Sequence, residues 1–361
     1  MKMRKIVCSF MISVLCFMTA ISGVSATSYD TSKINAAYSK VVEYYKNNNN
    51  LNNADKILAV ESLGLEAESN QFDTSSADLS STSLSKKIVT EVLLGVDPTE
   101  DKKTLESQID ENGNVEGSWG ASSDVWTLYA LYVTSSEKTN LIANKLNDEL
   151  AASSVCGYEW GGTYYADYDT TGWVIEGLAV VNKEKYATTI NKAIDYIKNN
   201  TTMTTTGWVT ADNVDTQSQV LEGMFAYDTN ALLNDSYTVH PVDCLLNTQL
   251  SDGSFPSGYN AEYTTAEVAK TLGTYKNGSV FEKAKKAYDK MMNPEQPDNT
   301  KPAQPTDTKK DSQSTNKVET TNQKTTSVKT GDETNVVIFV SLSMVSGGLF
   351  LVLRKEYERV H

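Results

Sequence analysis

Between positions 30 and 293 apolar residues recur mainly three and four apart, the spacing of amphipathic helices. The clearest case is 280–292, where Phe281, Ala284, Ala287, Tyr288 and Met291 share one face. The same period predicts helices over 32–46, 54–64, 83–95, 102–109, 138–151, 185–199 and roughly 241–249. Four further stretches, 124–134, 169–181, 215–227 and 264–275, are apolar on most sides, as expected of helices buried all round. Ser32, Asp124, Asp169 and Asp215 stand where N-cap or first-turn residues belong. No period-2 alternation persists over the length of a strand, so the predicted fold class is all-α.

A longer period overlies the helical one. Glycines fall at 117, 162, 207 and 253, spaced by 45, 45 and 46 residues. Aromatic residues follow closely in Gly117-Ser118-Trp119, Gly162-Thr163-Tyr164, Gly207-Trp208 and Gly253-Ser254-Phe255. Ile175-Glu176-Gly177-Leu178 matches Leu221-Glu222-Gly223-Met224 at a spacing of 46, and Trp126 matches Trp173 at 47. Such self-similarity predicts a repeat architecture, each unit a glycine turn, an inner helix and an outer helix. About six helical hairpins fill 30–293, the first two on helix count alone. An open solenoid and a closed barrel of six inner and six outer helices both fit this count.

The two ends differ from the body. Residues 1–26 read as a signal peptide: Lys2, Arg4 and Lys5, then an apolar run over 6–21, then the small residues Val24-Ser25-Ala26. Four of the seven prolines lie in 294–330, which has no aromatic residue and reads as a disordered stalk. Val336–Leu353 is an uncharged apolar run of 18 residues, just enough for a transmembrane helix, followed by Arg354-Lys355. Ser327-Val328-Lys329-Thr330-Gly331-Asp332 precedes it. This order over 331–361 resembles the sorting signal of Gram-positive wall proteins, a Leu-Pro-x-Thr-Gly motif before an apolar stretch and a charged tail. The resemblance implies that sortase cuts between Thr330 and Gly331 and links the chain to peptidoglycan. Ser327 and Val328 replace Leu and Pro, which leaves the sortase class open. Plain retention in the membrane is the alternative, and both place the body, 27–293, outside the cell.

Composition removes several chemistries. A net charge of −14 opposes nucleic-acid binding. Only His240 and His361 are histidines, so no multi-histidine metal site can be assembled in the body. No cofactor motif is present. Cys8 and Cys16 leave with 1–26; Cys156 and Cys244 remain, as a disulfide if their Cα atoms approach within about 7 Å, or otherwise as separate thiols.

Glu116-Gly117-Ser118-Trp119 and Asp252-Gly253-Ser254-Phe255, each before an inner helix, resemble the repeat of the terpenoid cyclase and protein prenyltransferase superfamily. That resemblance covers about 82–293 and implies an alpha-alpha toroid. It also brings Asp167-Tyr168-Asp169-Thr170 into view, since class II terpene cyclases protonate substrate with the middle Asp of Asp-x-Asp-Asp. Asp169 would match that acid, but Thr170 stands where the partner carboxylate belongs. The zinc ligands of prenyltransferases are not matched by Asp243-Cys244, nor the thioester motif of complement-like proteins by Cys156-Gly157-Tyr158-Glu159.

All five tryptophans lie in 119–208. Trp119, Tyr164, Trp208 and Phe255 hold repeat positions, where aromatic residues commonly staple the outer layer to the inner. Trp160, Tyr165, Tyr168 and Tyr259 lie off the repeat and are the better ligand candidates. With Asp124, Glu159, Asp167, Asp169, Asp212 and Glu262 nearby in sequence, they suit a sugar chain or a cationic peptide. The expected protein is a surface-anchored, non-catalytic toroid that binds a glycan, a peptide or protein, or a small hydrophobic molecule. The alternatives are a carbohydrate-active enzyme with Glu159, Asp169 or Asp215 paired across a groove, a cyclase-like enzyme, and a scaffold or spacer.

Overall fold

A computed structural model describes residues 29–68, 80–202, 213–257 and 260–294, all within the unit formed by 1–298. Residues 1–26, the stalk beyond 294, Thr330, Gly331 and the run 336–353 lie outside the described residues, as do Trp208, Asp212 and Tyr259. No described helix is long and apolar enough to cross a membrane.

The described chain is mostly helical. Its helices are α1 (Ser32–Asn47), α2 (Ala54–Ser62), α3 (Ser81–Leu93), α4 (Thr99–Ser107), α5 (Ala121–Val133), α6 (Thr139–Ser153), α7 (Tyr168–Asn200), α8 (Val214–Asn234), α9 (Pro241–Leu246), α10 (Ala261–Asn277) and α11 (Val280–Met292). Two strands, β1 (Gly157–Trp160) and β2 (Thr163–Ala166), interrupt them between α6 and α7. The expected pairs 169–181 and 185–199 are both present, but they run together as α7, bent at Asn182, whose side chain caps the second half by accepting from Lys185 N–H. α8 bends likewise at Asp228, which caps Ala231. The outer segment expected at 241–249 is therefore shared between the end of α8 and the six residues of α9.

Outer helices bury one stripe. In α1 it is Ile34, Ala37, Val41 and Tyr45; in α6 Ile142, Ala143, Leu146 and Leu150. Each such large side chain contributes about 1.5–3 kcal/mol when fully buried. The inner helices are buried all round, as their pattern implies: every residue of α10 from Thr264 to Thr274 is buried. α2 packs on α3, α3 on α5, α5 on α7, α7 on α8, α8 on α10, and α10 packs back on α2, so the series closes on itself. Polar contacts stitch the first and last units together. Tyr29 Oη and Lys33 Nζ donate to Asp243 at 2.6 and 3.0 Å, Gln249 Nε2 to the Ala37 carbonyl at 3.0 Å, and Asn277 Nδ2 to the Ser62 carbonyl at 2.8 Å.

α11 departs from the expected pattern. Its apolar stripe is there, with Phe281, Ala284 and Tyr288 buried, but it packs on α2, α3, α5 and α10 rather than beside α10 alone. Phe281 stacks on Tyr129 of α5 with ring centroids 3.6 Å apart.

Glycine sets the closest approach between inner helices. A Cβ on Gly223 of α8 would lie 2.3 Å from the Gly172 carbonyl oxygen of α7, and one on Gly172 would lie 2.5 Å from that of Gln219. Both distances are backbone to backbone, so relief requires the helices to separate. Alanine at an open helical site gains about 1 kcal/mol over glycine. Here overpacking outweighs that gain, and Gly223→Ala is expected to lower stability by about 1–3 kcal/mol. Urea unfolding measures it; an unchanged or raised midpoint would refute the close crossing.

Candidate functional site

Two features stand apart from ordinary packing: an aromatic surface on the β-hairpin and a charged cluster enclosed by the inner helices.

The hairpin is absent from the sequence expectations because its strands are four residues each, too short for a clear alternation. Gly161 and Gly162 turn it, with φ of +58° and +77°, the conformation a two-residue turn with both φ positive demands. Gly162 is thus a hairpin residue, not the counterpart of Gly117 and Gly253. The true counterparts are read from hydrogen bonds. The N–H groups of Trp119, Cys156 and Phe255 donate to hydroxyls of the following inner helix, Ser123, Thr171 and Thr265, at 3.2, 3.0 and 3.0 Å. Cys156 and Phe255 are fully buried there, whereas Trp119 is 47 % exposed.

Antiparallel pairing puts Tyr158 opposite Tyr165 and Trp160 opposite Thr163, so these four side chains share one face. The Tyr158 and Tyr165 rings stack with centroids 5.6 Å apart, and Trp160 meets Trp119 at the same distance. Glu159 N–H donates to the Trp119 carbonyl at 3.0 Å, which fixes the Trp119 segment along β1. The strip Trp119–Trp160–Tyr158–Tyr165 is 37–47 % exposed. Glu159 and Tyr164 are on the other face, where Tyr164 Oη donates to Glu149 Oε1 of α6 at 3.0 Å. Of the sequence candidates, the structure therefore unites Trp119, Trp160 and Tyr165, and adds Tyr158. Tyr164 is exposed but faces away, and Tyr168 is half-buried against the core at the start of α7.

The carboxylates proposed to line the same surface are mostly engaged. Asp167, not Asp169, caps α7, accepting from the Asp169 and Thr170 N–H groups. Asp124 is buried, taking a hydrogen bond from Ser118 at 2.6 Å and an ion pair from Lys145 at 2.9 Å. Glu262 pairs with Lys56 at 2.8 Å. Asp169 Oδ1 is enclosed without a hydrogen-bond partner, and burial, then the Asp167 carboxylate, push its carboxyl well above the ordinary range. Position 170 offers it a threonine and no second carboxylate. Cys156 and Cys244 are separate thiols. The Cys156 segment packs on α5 and α7, whereas Cys244 belongs to α9, which packs on α1 and α8. Burial pushes both thiols up, so neither is a ready nucleophile.

Sequence reading treated the inner helices as apolar and missed what they enclose. Lys270 of α10 is 1 % exposed and pairs with Glu267 at 3.1 Å and with Glu222 of α8 at 3.7 Å. Its Nζ lies 5.6 Å from the Trp126 ring of α5, and Lys86 of α3, itself paired with Asp55 of α2, lies 4.4 Å from the same ring. Glu176 of α7 accepts from Tyr129 Oη at 3.1 Å and from Ser279, the N-cap of α11, at 2.7 Å. Gln219 Nε2 donates to Glu267 at 3.1 Å. The repeated Glu-Gly pairs of the sequence are therefore two of these acids beside tightly packed glycines. Burial pushes the Glu222 carboxyl well above the ordinary range and Glu176 upward. Burial disfavours the Lys270 ammonium, but Glu222, Glu267 and Glu176 outweigh it and hold the lysine charged. Glu176, Glu222 and Glu267 are each at most 1 % exposed, so this group is closed to a substrate and does not form a carboxylate pair beside open aromatic rings. A separate cleft of about 90 Å³ between the second halves of α7 and α8, lined by Asn191, Asp195, Lys198, Tyr227, Asp228 and Tyr237, is small against the roughly 300 Å³ of ligand pockets. No group of acids, histidines and cysteines able to hold a metal occurs among the described residues.

Comparison of the chain with protein-family models, curated proteins and solved structures finds no match in any of the three.

Removing Lys270 leaves buried carboxylates without their cation. Lys270→Met is expected to cost about 3–5 kcal/mol at pH 7. Acidification protonates Glu222 and Glu176, whose carboxyls burial pushes up, so the loss should shrink as the pH falls below 7. Glu222→Gln, which leaves Lys270 its closer partner Glu267, should cost far less. Equal effects of the two variants, or a Lys270→Met loss independent of pH, would refute the assignment.

Proposed function

We propose that the protein is an exported, surface-anchored binding module, built as an alpha-alpha toroid of about six hairpins and not as an enzyme, with its ligand surface on the β-hairpin. The single observation that carries the binding reading is the concentration of exposed aromatic residues. Four of the eight large hydrophobic side chains exposed among the described residues, Trp119, Tyr158, Trp160 and Tyr165, lie together on one face. A patch of this kind on an otherwise acidic, charged surface marks an interaction site. The toroid is supported by the packing series that runs from α2 through α10 and returns to α2, which an open solenoid lacks. The non-catalytic reading is supported by the closure of the interior acids. Export and anchoring are supported by the order of residues 1–26 and 327–361.

Thermal shift of the full chain tests the binding reading against saccharides, cationic peptides and polyprenyl lipids. A ligand at a thousand times its Kd stabilises the folded state by about 4 kcal/mol. At least one class should raise the midpoint, and Trp160→Ala should abolish the rise. No rise with any class, or conversion of the ligand to product, would overturn the reading.

Anchoring has its own test. In a Gram-positive host the chain should appear in the wall fraction, and Thr330→Ala with Gly331→Ala should shift it to the membrane fraction. An unchanged distribution would exclude sortase attachment at this site.

A further inference from the structure

We infer that the outer face of the hairpin binds a neutral saccharide chain; this rests on the binding-module reading and assigns its ligand class. The argument is one of chemistry and preorganisation. The face consists of Trp119, Tyr158, Trp160, Thr163 and Tyr165, none of which carries a charge at neutral pH. Its flat centres are ring faces and its edges are two phenol hydroxyls, a threonine hydroxyl and two indole N–H groups. A pyranose offers the matching surface: C–H faces above and below, neutral hydroxyls around the rim.

Other ligand classes fit less well. A cation needs counter-charge on the face itself, yet Glu159 and Glu149 lie toward the opposite face, the Asp167 carboxylate is turned to the N–H groups at the start of α7, and Asp169 Oδ1 is enclosed. A phosphorylated or sulfated ligand needs cationic partners, and none of the side chains that make up this face is cationic. A small hydrophobic molecule needs enclosure, whereas these rings are 37–47 % exposed on an open sheet face.

The rings are also held before any ligand arrives. Trp119 is fixed through both its backbone groups, by Ser123 and by Glu159. β1 and β2 are joined to α7 through Cys156, which donates to Thr171 and accepts from Asp167 N–H at 2.9 Å. Ligand binding thus orders little that is not already ordered, which is what weak individual stacking contacts require to yield measurable affinity.

Native electrophoresis of the full chain through gels containing soluble polysaccharide tests the inference, since a protein of pI near 4.7 migrates well at neutral pH. The probes are mannan, xyloglucan and galactomannan as neutral chains and polygalacturonate as an anionic control. Calorimetry with choline and with a lysine-rich peptide supplies the cationic arm. At least one neutral chain should retard the protein. Trp160→Ala and Trp119→Ala should each weaken retardation roughly tenfold or more, and Tyr164→Phe, on the other face, should leave it unchanged. Circular dichroism checks that the variants fold. No retardation by a neutral chain, or retardation indifferent to Trp160 and Trp119, overturns the inference. Heat from choline or peptide that is lost in Trp160→Ala would do so while sparing the binding-module reading. No tryptophan-dependent binding of any probe would remove both.

Discussion

The ammonium of Lys270 is the constraint around which the inner helices are arranged. It is fully enclosed, and an unpaired charge there would cost several kcal/mol. Its partners come from different helices: Glu267 from its own, Glu222 from α8 and the Trp126 face from α5. Around these lie Glu176 from α7, Lys86 from α3 and Asp55 from α2, so each of the six inner helices contributes to one electrostatic group. Apolar stripes bring helices together with some tolerance in register. A shared buried charge does not tolerate slippage, because moving one helix by a turn removes a carboxylate from its only cation. We see this as the device that selects one arrangement among helices whose apolar surfaces alone are interchangeable.

What the sequence disclosed, it disclosed through periodicity. Helix positions, the inner and outer distinction and the glycine lead-ins at 117 and 253 follow from the spacing of residue types, because burial of a stripe is a local property. The interior group was not legible. Glu176, Glu222, Glu267 and Lys270 are read in one dimension as solvent-facing charges on otherwise apolar helices, and only packing across more than forty residues brings them to one place. The hairpin was missed for another reason. Gly162 fell on the 45-residue register by coincidence, and the chain between Cys156 and Asp167 was therefore read as part of a repeat instead of an insertion beside a hydrogen bond that recurs at Trp119 and Phe255. That same insertion carries Tyr158, Trp160 and Tyr165, the residues that make the surface distinctive. Trp119 illustrates the reverse: its position is a repeat position, yet the hairpin beside it turns a core residue into a surface one.

The hairpin and the interior divide the labour of the body. The interior acids serve structure: Glu222 and Glu267 pair with Lys270, and Glu176 accepts from two hydroxyls. The outer aromatic strip is uncharged and takes no part in holding the helices together. Changes on the strip can therefore alter what is bound without disturbing the packing beneath, and the short connection through Cys156, Thr171 and Asp167 is what keeps that surface rigid on its support.

The long-range contacts also dictate the order in which the chain can fold. Glu61 is paired with Lys283, Ser62 with Asn277 and Tyr29 with Asp243, at sequence separations of 222, 215 and 214 residues. Glu176 is satisfied by Ser279, 103 residues later. The first helices therefore have no complete partner until nearly the whole body has left the ribosome, and loop closure of this length must precede the contacts that reward it. Such a topology slows folding relative to a helical bundle of local hairpins. Until those late partners emerge, the contacts between positions 29–62 and 243–283 cannot form, and that part of the chain can be moved as an extended polymer.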